Sequence, residues 1–226
     1  MKRILVGMAA LSVATGAFAQ ISEVFDDITT LVPAGWSRQN LSNPVGATEW
    51  FQGNPASFPS HQGLPEAYIA ANFQNTAGVG DISNWLITPE QTLNNGAVWS
   101  FWSRSATATT FPDRLHFKMS TNGASVNVAD FTTVLLTINP DLLSPAGSAG
   151  AYPDVWTEFS GVISGLGGPT QGRLAFHYDV PDSGPSGFNG DYIGIDTFDY
   201  NPVPEPATIA VLALGLGALV ARRRKA

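Results

Sequence analysis

The chain has 226 residues, with 11 basic and 18 acidic side chains and no cysteine. Disulfides, zinc–thiolate sites and cysteine nucleophiles are thereby excluded. The acidic balance disfavours nucleic acid and anionic membranes as partners and favours cations, of which calcium is the abundant hard one outside cells; the same acidity also serves simply to keep an exported protein soluble.

At the N-terminus, Lys2 and Arg3 precede an apolar run from Ile4 to Phe18, and Ala17-Phe18-Ala19 has the small-x-small form of a signal-peptidase site. A signal peptide over residues 1–19, cleaved before Gln20, is expected. No twin-arginine pair precedes this apolar run, so export of an unfolded chain by Sec is expected. Six of the eleven basic residues lie in the two ends of the chain, with only one acid, Glu205. Residues 20–203 therefore keep five basic against seventeen acidic side chains, a net charge of −12.

The middle of the chain reads as all-β. In Arg114–Met119, Leu115, Phe117 and Met119 share one face while Arg114, His116 and Lys118 share the other. In Arg173–Val180, Leu174, Phe176, Tyr178 and Val180 form the inner face. Further strands are expected at Glu23–Ile28, Thr48–Phe51, Ala67–Phe73, Trp85–Thr88, Val98–Ser103, Thr132–Ile138, Val155–Ile163 and Asp191–Tyr200. Turn-rich segments separate them, among them Gln52–Gly63, Asn94-Asn95-Gly96, Ser144–Gly150, Gly165–Gly168 and Pro181–Gly190. About ten short strands without helical periodicity predict one domain over residues 20–201, a two-sheet sandwich with jelly-roll topology. Six Trp and 13 Phe supply its core.

An ordered set of landmarks runs through this domain. It opens with Phe25-Asp26-Asp27 and Pro33-Ala34-Gly35-Trp36, then Glu49-Trp50-Phe51-Gln52-Gly53-Asn54 and Tyr68-Ile69-Ala70-Ala71-Asn72. It continues with Asn84-Trp85-Leu86-Ile87-Thr88-Pro89 and Ser100-Phe101-Trp102-Ser103-Arg104, then Tyr152-Pro153-Asp154-Val155-Trp156. It closes with Arg173-Leu174-Ala175-Phe176 and Tyr192-Ile193-Gly194-Ile195-Asp196. The set resembles a choice-of-anchor J domain, related to the cleaved-adhesin and MAM-like (galactose-binding-like) jelly rolls. The resemblance implies a surface domain joined to an anchoring signal. One departure is Thr197-Phe198, where the family usually has Asn and an aliphatic residue. The relationship also implies a structural calcium between the first and last strands, for which Asp26, Asp27 and Asp196 are the candidate ligands. Asp196 interrupts an apolar strand and needs a partner; backbone donors or an arginine are the alternatives to a cation.

Other candidate sites rest on exposure. Trp36 and Trp50 sit beside glycine and loop residues, and Trp99, Phe101 and Trp102 are too many aromatics for one buried face. Trp36, Trp50 and Trp102 are thus candidate platforms for a sugar ring, against the alternative that they pack between the sheets. Asp179, Asp182, Asn189 and Asp191 cluster on a loop without EF-hand spacing. His61, His116 and His177 are more than 50 residues apart and share no ligand motif; the last two are expected to face solvent. No Gly-x-Ser-x-Gly, His-Glu-x-x-His or P-loop motif occurs, so no catalytic residue is assigned.

The last 25 residues combine Pro204-Glu205-Pro206, an apolar run of 15 residues from Ala207 to Ala221, and Arg222-Arg223-Arg224-Lys225. As a helix, residues 207–221 span roughly 22 Å, short of a hydrocarbon core of about 30 Å. The basic cluster is expected to stay cytoplasmic and the rest of the chain to cross. The two prolines keep the preceding stretch extended and accessible. This order resembles the PEP-CTERM sorting signal of Gram-negative bacteria, which implies processing by an exosortase. A simple tail anchor is the alternative. The expectation from the whole chain is a non-catalytic protein, held transiently in the inner membrane and then delivered to the cell surface or matrix, with extracellular polysaccharide as a partner. The alternatives are a specific carbohydrate-binding module and, behind it, a secreted hydrolase.

Overall fold

Side chains that alternate along the sequence alternate across the sheets. The structure, a computed structural model, describes residues 20–202, which lie within one compact unit. Thirteen strands occur in this span: β1 (Ile21–Glu23), β2 (Ser37–Asn40), β3 (Asn43–Val45), β4 (Phe51–Gln52), β5 (Ile69–Asn72), β6 (Thr76–Ile87), β7 (Gln91–Leu93), β8 (Val98–Ser105), β9 (Leu115–Ser120), β10 (Thr133–Ile138), β11 (Thr157–Val162), β12 (Thr170–Ser183) and β13 (Tyr192–Asn201). One sheet has the order β11-β8-β13-β5-β4, with β1 also on β13; the other has β10-β9-β12-β6-β2, with β3 on β6 and β7 on β12. All the paired strands are antiparallel. This is the expected all-β sandwich. The expected signal peptide with Ala17 and Ala19, the Pro204-Glu205-Pro206 motif, the 207–221 helix and Arg222–Arg224 lie outside the described residues. Among the described residues, no helix is long and apolar enough to cross a membrane.

The inner faces meet in an aromatic core. Leu115, Phe117 and Met119 of β9 point inward, as do Leu174, Phe176, Tyr178 and Val180 of β12. Phe176 lies 4.9 Å from Phe101, 4.8 Å from Phe117 and 5.4 Å from Phe198, ring centre to ring centre. Burying each such ring stabilises the fold by roughly 1.5–3 kcal/mol.

The opening of the chain differs from expectation. The strand expected at Glu23–Ile28 is shorter, β1 at Ile21–Glu23, and gives way to a 3-10 turn at Ile28–Thr30. Asp27 caps that turn: its Oδ1 accepts the Thr29 N–H at 2.9 Å. A short polar side chain offered to the backbone competes with the sheet ladder and ends the strand. Gly35, at φ +94°, then reverses the chain and delivers Trp36 inward.

Candidate functional site

On β8, Trp99, Phe101 and Ser103 face the core, so Ser100, Trp102 and Arg104 face outward. Register places Trp102 between Glu158 of β11 and Asp196 of β13. The segment 53–66 folds back over this outer face. Phe58 stacks on Tyr68 at 5.1 Å and meets Tyr192 and Trp156 edge-on at 5.3 and 5.6 Å. The Arg104 guanidinium lies 4.3 Å over the Phe58 ring, and Trp156 Nε1 donates to the Pro59 carbonyl at 2.8 Å. His61 stacks on Trp102 at 3.9 Å with the planes 13° apart.

Asp196 holds this segment down. It is fully buried, and its Oδ2 accepts the N–H groups of His61 at 2.8 Å and Gln62 at 3.1 Å. Its Oδ1 accepts the Thr197 N–H at 2.6 Å. Burial pushes its carboxyl up to about 6 against the pull of these hydrogen bonds. Asp26 borders the same segment: a side chain at Gly63 would stand 2.9 Å from its Oδ1. Asp27 is engaged in its cap instead. Hydrogen bonds from Thr29 hold its carboxyl below the usual range. Of the three candidate calcium ligands, Asp26 and Asp196 thus flank one loop and Asp27 serves another. Among the described residues, no three histidine or acidic side chains are grouped to hold a metal. The donors on Asp196 are the three backbone N–H groups, with the Thr197 hydroxyl at 3.2 Å from Oδ1, which is the backbone alternative.

Two of the three candidate platforms are corrected. Trp36 is 4% and Trp50 is 1% exposed, and both belong to the main core. Trp36 meets Phe25 and Phe198 edge-on at 5.8 and 5.9 Å. Gly35 lies in a turn that delivers Trp36 inward, and both rings are covered by the core, so neither can stack on a sugar. Trp102 is half-buried on the outer face and keeps the possibility of contact.

The second sheet also departs from expectation on its outer side. His116 and His177 do not face open solvent. His177 is 7% exposed, stacked on Trp85 at 3.8 Å, with Nε2 3.0 Å from Ser83 Oγ and no partner for Nδ1. Burial, with help from the nearby Lys118 charge, pushes its pKa down to about 3. His116 bridges Thr137 Oγ1 at 2.8 Å and Asp179 Oδ2 at 3.1 Å, and Arg114 pairs with the same oxygen at 2.9 Å. Asp179 is therefore an ion-pair partner. The residues 124–131 cover part of this face, with Phe131 5.8 Å from Trp85.

Sequence reasoning missed Asp113. It is 1% exposed; its Oδ1 accepts the Tyr178 hydroxyl at 2.5 Å and the Asp191 N–H at 2.8 Å, and its Oδ2 accepts Ser105 Oγ at 2.8 Å. Burial raises its carboxyl to about 6. It ties β8, β12 and the start of β13 together at one end of the sandwich. No spacing signal marks it, because two of its three partners, Tyr178 and Asp191, lie 65 and 78 residues away.

Residues 202–225 match the family model of the PEP-CTERM protein-sorting motif. The chain carries a PEP-CTERM protein-sorting motif. Such a motif marks a protein that is sorted to the cell surface. The sandwich is similar in fold to the K1 cleaved adhesin domain of Lys-gingipain from Porphyromonas gingivalis W83, at 20% identity and a TM-score of 0.56, over 82% of this chain and 99% of that domain. The K3 cleaved adhesin domain of the same protein aligns at 19% identity and a TM-score of 0.52, over 80% and 98%. No curated protein matches the chain in sequence.

Proposed function

We propose that this is an exported, non-catalytic protein of the cell surface or extracellular matrix, processed by signal peptidase and an exosortase, whose sandwich is an adhesion or interaction module. The sorting motif at 202–225 carries this reading. The adhesin-like fold agrees with it. The histidines support the absence of catalysis: His177 is packed away, and His116 is tied to Thr137 and Asp179. The mature domain, at −12, repels anionic membranes and nucleic acid. The deciding measurement is the intact mass of the protein from its producing cells. Loss of residues 1–19 and of the tail beyond Pro204–Pro206 is the expected result. A mass retaining Arg222–Ala226 would make it a membrane-tethered protein and overturn the exosortase step.

A second reading, a carbohydrate-binding module, is favoured by Trp102, the one candidate platform not buried in the core. Displacement of His61 from its face by a sugar ring would alter Trp fluorescence. Titration with a panel of polysaccharides, with Trp102→Phe as control, tests it; a response unchanged in the variant removes Trp102 from the site.

A further inference from the structure

One end of the sandwich carries a cleft of about 280 Å³ whose walls include Phe73, Phe111, Gly184, Gly187, Gly190 and Asp191. The volume lies below the range of drug-sized pockets and fits a single ring. Phe73 opens the 3-10 turn after β5; Phe111 stands on the β8–β9 connection and is 47% exposed. The glycines belong to the loop between β12 and β13, on which Phe188 is 74% exposed.

Asp191 is fixed by its backbone. Its N–H donates to Asp113 Oδ1 at 2.8 Å, and its carbonyl accepts the Phe73 N–H at 2.8 Å. Its half-buried carboxylate, in contrast, accepts no hydrogen bond and forms no ion pair among the described residues. A further polar group waits beneath the wall. Ser183 is fully buried with an unpartnered hydroxyl, and that oxygen lies 2.3 Å from where a side chain at Gly190 would begin. Only glycine leaves that space open. No basic residue lines the cleft, and the negative charges of Asp191 and Asp113 are close enough to raise the Asp113 carboxyl.

A carboxylate without a hydrogen-bond partner, sharing a cleft with two phenyl rings in a negative field, selects a cation that also offers an apolar face. The ring faces attract both C–H groups and ammonium, and the carboxylate gives a charge-assisted hydrogen bond. A uronic acid is repelled. We propose that this cleft is a binding site for an amino sugar with a free, protonated amine, of the glucosamine type. This rests on the reading of the domain as a module that meets extracellular polysaccharide. A domain charge of −12 draws such a ligand in.

The test is calorimetric titration of the full chain in detergent with four probes: the β-1,4 disaccharide of glucosamine, its N,N′-diacetyl form, cellobiose, and an Nα-acetyl-lysine amide. The free-amine disaccharide is expected to bind, with the acetylated and neutral disaccharides weaker by roughly tenfold or more. Asp191→Asn is expected to lose a similar factor without losing stability, because that carboxylate accepts no hydrogen bond in the fold and its charge opposes that of Asp113. Phe111→Ala should weaken binding several-fold. Glu66→Gln, an exposed acid outside the cleft, should have no effect. Equal affinity for acetylated and free amines overturns the proposal. So does an equal loss in Glu66→Gln, binding of the lysine probe alone, or no heat with any probe. None of these outcomes touches the mass of the processed chain, so the surface reading stands or falls separately. Trp102→Phe, which should leave this binding intact, separates the cleft from the sheet-face platform.

Discussion

His177 gives the fold an acid-sensitive element that opposing carboxyls hide. The perturbation is a shift from pH 7 to pH 4, compared between the protein and His177→Gln. Burial against Trp85 pushes the histidine from its ordinary 6.5 to about 3. The unfolded chain therefore binds the proton first as pH falls, and stability is lost between 6.5 and 3. At pH 4 that loss amounts to about 3 kcal/mol. Asp113 and Asp196 have the opposite sign. Each is raised from 3.8 to about 6, so the folded state binds the proton first and acid stabilises it between 6 and 3.8. At pH 4 each contributes about 2.4 kcal/mol in that direction. The two effects cancel to within a few kcal/mol, and the unmodified protein should show a shallow profile. His177→Gln keeps a hydrogen-bonding group for Ser83 Oγ but cannot titrate. Its melting temperature should therefore gain on that of the parent by roughly 6–12 °C between pH 7 and pH 4. Thermal melts followed by near-ultraviolet circular dichroism at half-unit pH steps would show it. Parallel profiles for the two proteins would refute the assignment of a buried, neutral His177.

Thr197 sits at φ +50°, a conformation costly for a β-branched residue and tolerated by asparagine. Thr197→Asn should stabilise by about 1 kcal/mol and raise the melting temperature by roughly 2–4 °C; a fall would show that the Thr197 hydroxyl, 3.1 Å from His61 Nδ1, matters more than the backbone. Asp196, hydrogen-bonded by three backbone N–H groups and the Thr197 hydroxyl, predicts a melting temperature indifferent to excess chelator. A drop of several degrees would instead place a cation between Asp26 and Asp196 and overturn the hydrogen-bonded account.

Alternation made the long inner strands legible. Leu115-x-Phe117-x-Met119 and Leu174-x-Phe176-x-Tyr178-x-Val180 landed on the core side as expected. β2, β3 and β7 were not legible, because Ser37–Asn40, Asn43–Val45 and Gln91–Leu93 are short and mostly polar. They are strands because β6 and β12 offer them an edge, and that fact lives in the tertiary structure. The N-terminal half of β6, Thr76–Asp81, was hidden for the same reason, with glycines breaking the pattern. The candidate site was legible only in part. Asp196 could be flagged as a charge in an apolar strand. Its partners, the His61 and Gln62 N–H groups, lie about 135 residues away in sequence.

The aromatic count of β8 places Trp102 on an outer face without placing it in open solvent. Too many rings for one inner face implies that some lie outside it, but outside a sheet is not the same as in solvent. Here the extra rings glue covering segments onto the outer faces. Phe58, Tyr68, Trp156 and Tyr192 seat residues 53–66 on one sheet; Trp85 and Phe131 seat residues 124–131 on the other. An outer face used in this way is a poor platform, since a ligand must first displace the cover. Among the described residues the β12–β13 loop end has no such cover: Phe111 and Phe188 stand exposed there, and Asp191 keeps a carboxylate without a hydrogen-bond partner. Packing at the faces and recognition at the end is the division of labour that these side chains permit.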